Sequence, residues 1–284
     1  MHAKYHRPCF TVSCYNDLMN IRTADPSSDK DKHELIELWN ICFDDTEKFV
    51  DFFFDKRYFP DNIVCAETGG RIVAAMHSLP VSLLIRGAVV PSAVIAGVGT
   101  HPDFRGRGIM RMMFSFCMAE MAKRRICAVA YHPVDFAIYR SLGHLSTSDH
   151  IILSVLPPAE VDNLTGDICI RTSPLEEGYK TNAEDMQRLY AEISQKYSGM
   201  VARTGDDFDL KAADYISSDA YLLTARSTDN RMMAYCIYFV SDNKLLAEAV
   251  VFGSTGSLQA IAGHLVSQHT SIQAEFKLPA DTEI

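Results

Sequence analysis

No stretch of this sequence has the length and apolarity of a membrane span. The opening Met-His-Ala-Lys-Tyr-His-Arg-Pro is not followed by the apolar run of a secretory signal. Paired cysteines are missing too. The eight cysteines, at 9, 14, 42, 65, 117, 127, 169 and 236, form no Cys-x-x-Cys and no Cys/His set at ligand spacing. That excludes a zinc framework and a dithiol redox motif. Several cysteines sit inside apolar runs, as buried free thiols do, which predicts a reducing, cytoplasmic setting. Positive charge is scarce: 27 Lys and Arg against 36 Asp and Glu leave a formal net charge of −9. This balance argues against nucleic acid or an anionic membrane as partner and suits a cationic one. The ten histidines form no metal set, no Ser/His/Asp trio is recognisable, and no metal is expected. Nothing spells the Gly-x-x-x-x-Gly-Lys-Ser/Thr loop of nucleotide triphosphate enzymes. Gly97-Val-Gly99 lacks the third glycine of a dinucleotide fingerprint.

What is present is an ordinary globular composition, 48% apolar and 22% charged, over a length that suits one large or two modest domains. The most informative segment runs from Gly97 to Arg111, Gly-Val-Gly-Thr-His-Pro-Asp-Phe-Arg-Gly-Arg-Gly-Ile-Met-Arg. It joins an apolar strand, Ala93 to Thr100, to a helix that carries Ile109, Met112, Met113, Phe116 and Cys117 on one face. A helix begins with uncommitted N–H groups and partial positive charge. Arg105, Arg107 and Arg111 add full charges, while Gly106 and Gly108 let a ligand approach the main chain. This is the chemistry of a pyrophosphate cradle.

Arg105, Gly108 and Met110 follow a Val-x-Thr-x-Pro strand end in an Arg-x-x-Gly-x-x arrangement. In this the segment resembles the acyl-CoA loop of the GNAT N-acetyltransferases. Met110 stands where Gly or Ala is usual, and in that departure the chain is similar to the tandem-domain Eis-like branch. The order of elements extends the likeness over about residues 20 to 156. Helices are expected at 30–43 and 47–54, and strands at 62–68, 72–79, 81–85, 88–90 and 93–100. The arginine-loop helix follows, then a strand at 126–131, a helix at 134–142 stopped by Gly143, and a strand at 148–156.

A Pro-, Gly- and acid-containing linker is expected at 157–177. The second half repeats the pattern in thinner form. Helices are expected at 183–197, 207–215 and 258–269, and strands at 221–225, 232–240, 245–252 and 272–278. Where the arginine loop would fall stands Gly253-Ser-Thr-Gly-Ser-Leu-Gln259, with no basic residue. The resemblance therefore implies an α/β (α+β) fold, a mixed and mostly antiparallel GNAT-type sheet flanked by helices, with a second, degenerate GNAT-like domain that shapes the cleft. The expected division is a catalytic domain over 1–156, with 1–20 as an extension, and a second domain over 178–284.

The resemblance also implies acetyl-CoA as acyl donor, held by Val98, Gly99, Thr100, Arg105, Gly106, Arg107, Gly108, Ile109, Met110 and Arg111. Val134 and Asp135 match positions that approach it. Tyr139, three residues before Leu142-Gly143, matches the family's general acid for the thiolate leaving group. The acceptor would be a primary amine: an aminoglycoside, a polyamine or a lysine-like group. An alkylamine of pKa 10.4 costs about 4.6 kcal/mol to present neutral at pH 7, so a base is needed. In Eis-like proteins the resemblance assigns that role to the C-terminal carboxylate, delivered by a third domain. Here the chain stops at Ile284 with no such domain expected, and Ile284, His101, Tyr131 and His132 all stay open. A non-catalytic acetyl-CoA sensor is the alternative. A tRNA-dependent aminoacyl transferase fits less well with the charge of −9. A homo-oligomer is left open.

Overall fold

The computed structural model describes residues 19–133, 135–156, 168–241, 244–269 and 272–282. In chain order they form β1 (Asn20–Thr23), α1 (Asp29–Cys42), α2 (Glu47–Lys56), β2 (Ile63–Thr68), β3 (Arg71–Ile85), β4 (Ala88–Thr100), α3 (Ile109–Lys123), β5 (Ala128–Ala130) and α4 (Phe136–Arg140). The second half adds β6 (His150–Val155), β7 (Ile168–Pro174), α5 (Leu175–Ser194), β8 (Met200–Val201), α6 (Gly205–Ile216), β9 (Tyr221–Ser227), β10 (Met232–Ser241), β11 (Lys244–Phe252), α7 (Thr255–Gln268) and β12 (Gln273–Pro279). The result is a mixed α/β fold of two six-stranded sheets. The first runs β1-β2-β3-β4-β5 with β8 on β3, the second β6-β12-β11-β10-β9-β7. Two compact units emerge. One holds the described residues up to Asp45 with Tyr58–Pro80 and Ala93–His132; the other holds Thr46–Arg57, Val81–Ser92 and the described residues from Pro133 onward.

The second sheet shows how period-2 patterning builds a core. One face, with Leu223, Cys236, Tyr238, Leu245 and Phe276, packs against Leu258, Ile261, Leu265 and Val266 of α7. The other, with Leu222, Tyr235, Ile237 and Val251, packs against Leu175, Met186, Leu189 and Ile193 of α5. β11 runs parallel to β12 only from Lys244 to Ala247, then continues along β10 to Phe252.

Several expectations need correction. The strand at 148–156, expected to close the first domain, hydrogen-bonds to β12 of the second sheet. Its alternate residues Ile151, Leu153 and Val155 pack on the second core, which accounts for the placement. The expected linker 157–177 is structured from Ile168: β7 pairs with β9, and α5 starts at Leu175. Gly178 is the residue that lets α5 approach the sheet. A Cβ there would collide with Ser173 Oγ and stand 2.9 Å from Leu222 Cδ2. The strands expected to break near Pro80 and Pro91 run through both prolines, which are exposed and need donate no ladder bond there. On α3 the buried stripe is Ile109, Met113, Phe114, Cys117 and Met121, with Met112 and Phe116 only half-buried.

The first unit is tied at its edge by a buried carboxylate. Asp31 in α1 accepts Arg22 Nη1 at 2.5 Å, Arg22 Nη2 at 3.0 Å and the Asp25 N–H at 2.9 Å, while Arg22 Nε donates to Glu67 at 2.8 Å. The Arg22 guanidinium holds the Asp31 carboxyl below its ordinary 3.8, so the folded state prefers it ionised. A depressed folded pKa contributes stability above the unfolded value, and that stability is lost as pH falls through the folded one. Urea unfolding at about pH 7 and about pH 3 should therefore show a marked acid loss, and Asp31→Asn should flatten it. An unchanged pH dependence in the variant would remove Asp31 from the account.

Candidate active site

The site starts with how closely α1 meets the end of β4. At Gly97 the backbone takes φ +54°, and a Cβ would collide with Trp39 Cζ3, stand 2.9 Å from Trp39 Cη2 and 3.0 Å from His77 Cδ2. A Cβ at Gly99 would meet Cys42 Sγ at 3.1 Å and Phe43 Cε2 at 3.4 Å. The last turn of α1 thus lies directly on main chain, as glycine inside a strand signals. Trp39 is fixed by Phe43 (centroids 4.8 Å apart), by the edge of His77 (5.4 Å) and by its Nε1–H donating to Asp45 Oδ2 at 2.9 Å. Burial pushes the His77 imidazole down to about 3, so it is a neutral packing residue.

Beyond Thr100 a short turn, Pro102–Phe104, leads into the arginine loop. His101 opens it: its Nδ1 accepts the Asp103 N–H at 3.3 Å, which commits that nitrogen to the turn. Arg105 Nε donates to Thr100 O at 3.0 Å, and Arg107 Nη2 donates to Asp103 O at 2.7 Å. The Arg107 guanidinium lies 4.9 Å from the centre of the Phe104 ring. These contacts close the loop on itself. Arg105 also lies beside the Cys42 thiol, which burial nonetheless pushes up from 9.0, so the thiol is protonated.

Gly106 and Gly108 have φ +76° and +75°, with nothing within 4 Å of where a Cβ would be. Glycine is set there by conformation, and the space above it is open. Gly108 is the N-cap of α3 and supplies no side-chain cap, and the first turn holds no acidic residue. The first backward helical bond is Met112 N–H to Gly108 O at 3.2 Å. The N–H groups of Ile109, Met110 and Arg111 precede it and have no intrahelical acceptor. The start of α7 is built the opposite way. Ser254 accepts the Ser257 N–H and Ser257 accepts the Ser254 N–H, a capping box that spends those donors internally.

Tyr139 and Asp135 lie on and beside α4, in the other unit. The Asp135 carboxylate caps α4 by accepting the Ala137 N–H at 2.8 Å. Burial pushes the half-buried Tyr139 hydroxyl up from 10.0, so it is protonated at neutral pH. α4 ends at Arg140, short of the expected 142, and Gly143 follows in the turn at φ +88°. Tyr131 packs edge-on against Phe114 at 6.0 Å, and His132 is exposed. Val134 and Ile284 lie outside the described residues. Among the described residues no group of three or more His, Cys, Asp or Glu is placed to hold a metal, and no helix is long and apolar enough to cross a membrane. The wall of Trp39, Cys42 and Phe43 was not anticipated from sequence. Its only local signal is the alternate pair Gly97 and Gly99.

An apolar strand that ends on an uncapped, arginine-flanked helix is the frame in which the comparisons fall into place. Residues 23–145 match the acetyltransferase (GNAT) domain family. That span contains β2 to β4, the arginine loop, α3 and Tyr139. The chain is also similar to a GCN5-related N-acetyltransferase from Kribbella flavida, at 18% identity over 94% of this chain and 66% of that one, with a TM-score of 0.70. It is similar to Eis1 from Mycobacterium abscessus, at 17% identity over 93% and 67%, with a TM-score of 0.64. A tandem GNAT protein from the clavulanic acid biosynthesis pathway aligns at 14% identity over 93% and 91%, with a TM-score of 0.58. At such identities the likeness is one of fold. The chain spans about two thirds of the length of the first two. No curated protein matches it by sequence.

Proposed function

We propose that this protein is an N-acetyltransferase that moves the acetyl group of acetyl-CoA to a primary amine within a ternary complex. The observation that carries the reading is the asymmetry between the two helix starts. The start of α3 has no side-chain cap and no acidic residue and is flanked in sequence by Arg105, Arg107 and Arg111, whereas α7 starts with a serine box that takes up the Ser257 N–H and has no basic residue in 253–259. One pyrophosphate site, in the first half of the chain, follows from this. Val98, Gly99 and Thr100 would offer strand-edge groups to the amide-bearing pantetheine arm. In this reading the catalytic domain ends before β6, earlier than residue 156, because β6 hydrogen-bonds within the second sheet. The free thiols favour a cytoplasmic setting.

The chemistry is an acyl substitution. The amine nitrogen bonds to the thioester carbonyl carbon, the C–S bond breaks with its electron pair on sulfur, and the amine proton leaves to a base or to water. Tyr139 supports the leaving group. A phenol raised above 10.0 is a weaker acid than a thiol, so full proton transfer to the thiolate runs uphill. Its contribution is hydrogen-bond donation to the charge that develops on sulfur. Tyr139→Phe should lower kcat about tenfold to a hundredfold with acetyl-CoA affinity unchanged. Full activity in the variant would remove Tyr139 from the mechanism. For the base, the Nδ1 commitment of His101 weighs against it, which favours Tyr131, His132 or the carboxylate of Ile284.

The test is acetyl-CoA binding by calorimetry, followed by thiol release with polyamines, aminoglycosides and lysine derivatives. Binding with turnover supports the reading. Binding with no turnover on any amine favours a sensor, and no binding overturns the cradle.

A further inference from the structure

Away from the cradle, the second unit contains a cavity of about 390 Å³ between the first half of α5 and the β7–β9 edge of its sheet. Its size falls at the small end of ligand pockets. Every lining side chain is polar except one glycine, which favours a polar occupant over a lipid. The back wall is a rigid network. Arg226, with only 14% of its side chain exposed, pairs with Asp185 at 2.6 Å and donates to Asn182 Oδ1 and Asn230 O, each at 2.8 Å. Asn182 Nδ2 in turn donates to Gly178 O at 2.8 Å and Thr181 Oγ1 at 3.0 Å. At Gly178 α5 is pinned to the sheet, which closes one end.

Arg171, Glu177 and Thr224 are among the lining side chains that this network does not use. Arg171 and Glu177 are exposed at the rim, and neither makes a hydrogen bond or ion pair among the described residues. Thr224 is 5% exposed, and its hydroxyl likewise has no partner among the described residues. The hydroxyl is therefore available to an occupant of the cavity. Charge selects the occupant. Arg226 and Asp185 neutralise each other, leaving one cation at Arg171 and one anion at Glu177. A dianion would need a second free cation and a polyamine further carboxylates. A molecule with one charge of each sign matches both.

We propose that this cavity binds a small zwitterion of the α-amino acid type, its carboxylate on Arg171, its ammonium on Glu177 and the Thr224 hydroxyl hydrogen-bonded between them. The pair of charged rim groups confers affinity through charge-assisted bonds, and the fixed Arg226 network keeps the cavity open for them. The site is independent of the acetyl-transfer reading, because it lies in a different part of the chain from the arginine loop.

The experiment uses the full chain without coenzyme A, titrated by calorimetry and followed by thermal melting with each proteinogenic L-amino acid in turn. Acetate, ethylamine and sorbitol serve as single-feature probes. At least one amino acid should bind one to one and raise Tm, with acetate and ethylamine at least tenfold weaker. Arg171→Gln and Glu177→Gln should each weaken it at least tenfold, and Thr224→Val about threefold to tenfold, with coenzyme A affinity unchanged. Arg171 and Glu177 are exposed, so their variants should melt like the parent without ligand. The proposal is overturned if no amino acid binds, if sorbitol binds as well as the amino acids, or if binding survives unchanged in both rim variants.

Discussion

Gly97→Ala should cost about 3 kcal/mol of stability, far more than any other glycine replacement near the loop. Two penalties combine. The residue sits at φ +54°, a region that an L side chain enters at a cost of order 1 kcal/mol. The new methyl would also collide with the Trp39 ring, which cannot retreat, since Phe43, His77 and Asp45 hold it. Gly106→Ala is the control: φ is +76° but the space is open, so only the conformational cost of about 1 kcal/mol applies. Trp39 is the sole tryptophan, so its fluorescence reports both the unfolding transition and any displacement at the site. A Gly97→Ala cost no larger than that of Gly106→Ala, with unshifted emission, would show that the contact between α1 and β4 is not tight.

The second large effect is on binding. Arg105→Gln should weaken acetyl-CoA binding roughly tenfold to a hundredfold, the equivalent of one charge-assisted hydrogen bond of about 1.5–3 kcal/mol. Arg105 serves the loop twice, as a charge and as the brace whose Nε holds Thr100 O. Arg105→Lys separates the two contributions: it keeps the charge and loses the planar fork, and should fall between parent and Gln. The dependence of affinity on salt should also become shallower in Arg105→Gln and stay steep in Arg105→Lys. Equal affinity in all three proteins would refute the cradle.

The loop proposed as a cradle was legible in the sequence because its conformation and charge are local. Two glycines at positive φ, three arginines and an uncapped helix start fall within seven residues, and each follows from the chemistry of its own residue. The neutral loop at 253–259 was legible for the same reason, although its serines turned out to form a capping box. Most patterned elements also emerged at nearly their true places, although β7, β8 and the first two turns of α5 did not. The early start of α5 was missed, and the role of Gly178 there is defined by Ser173 and Leu222, which a local reading does not connect to it.

Sequence alone determined the kind of most elements, the charge of the loop and the contrast between the two halves, since propensity, periodicity and turn chemistry act over a few residues. Only the tertiary structure decided that β6 joins β12, that Trp39 lies on Gly97, and that Arg171, Glu177 and Thr224 share one cavity. A period-2 pattern says that a strand has a buried face and is silent on which sheet will bury it. That choice is made by contacts between residues dozens to more than a hundred positions apart, where loop closure has to be repaid by shared burial.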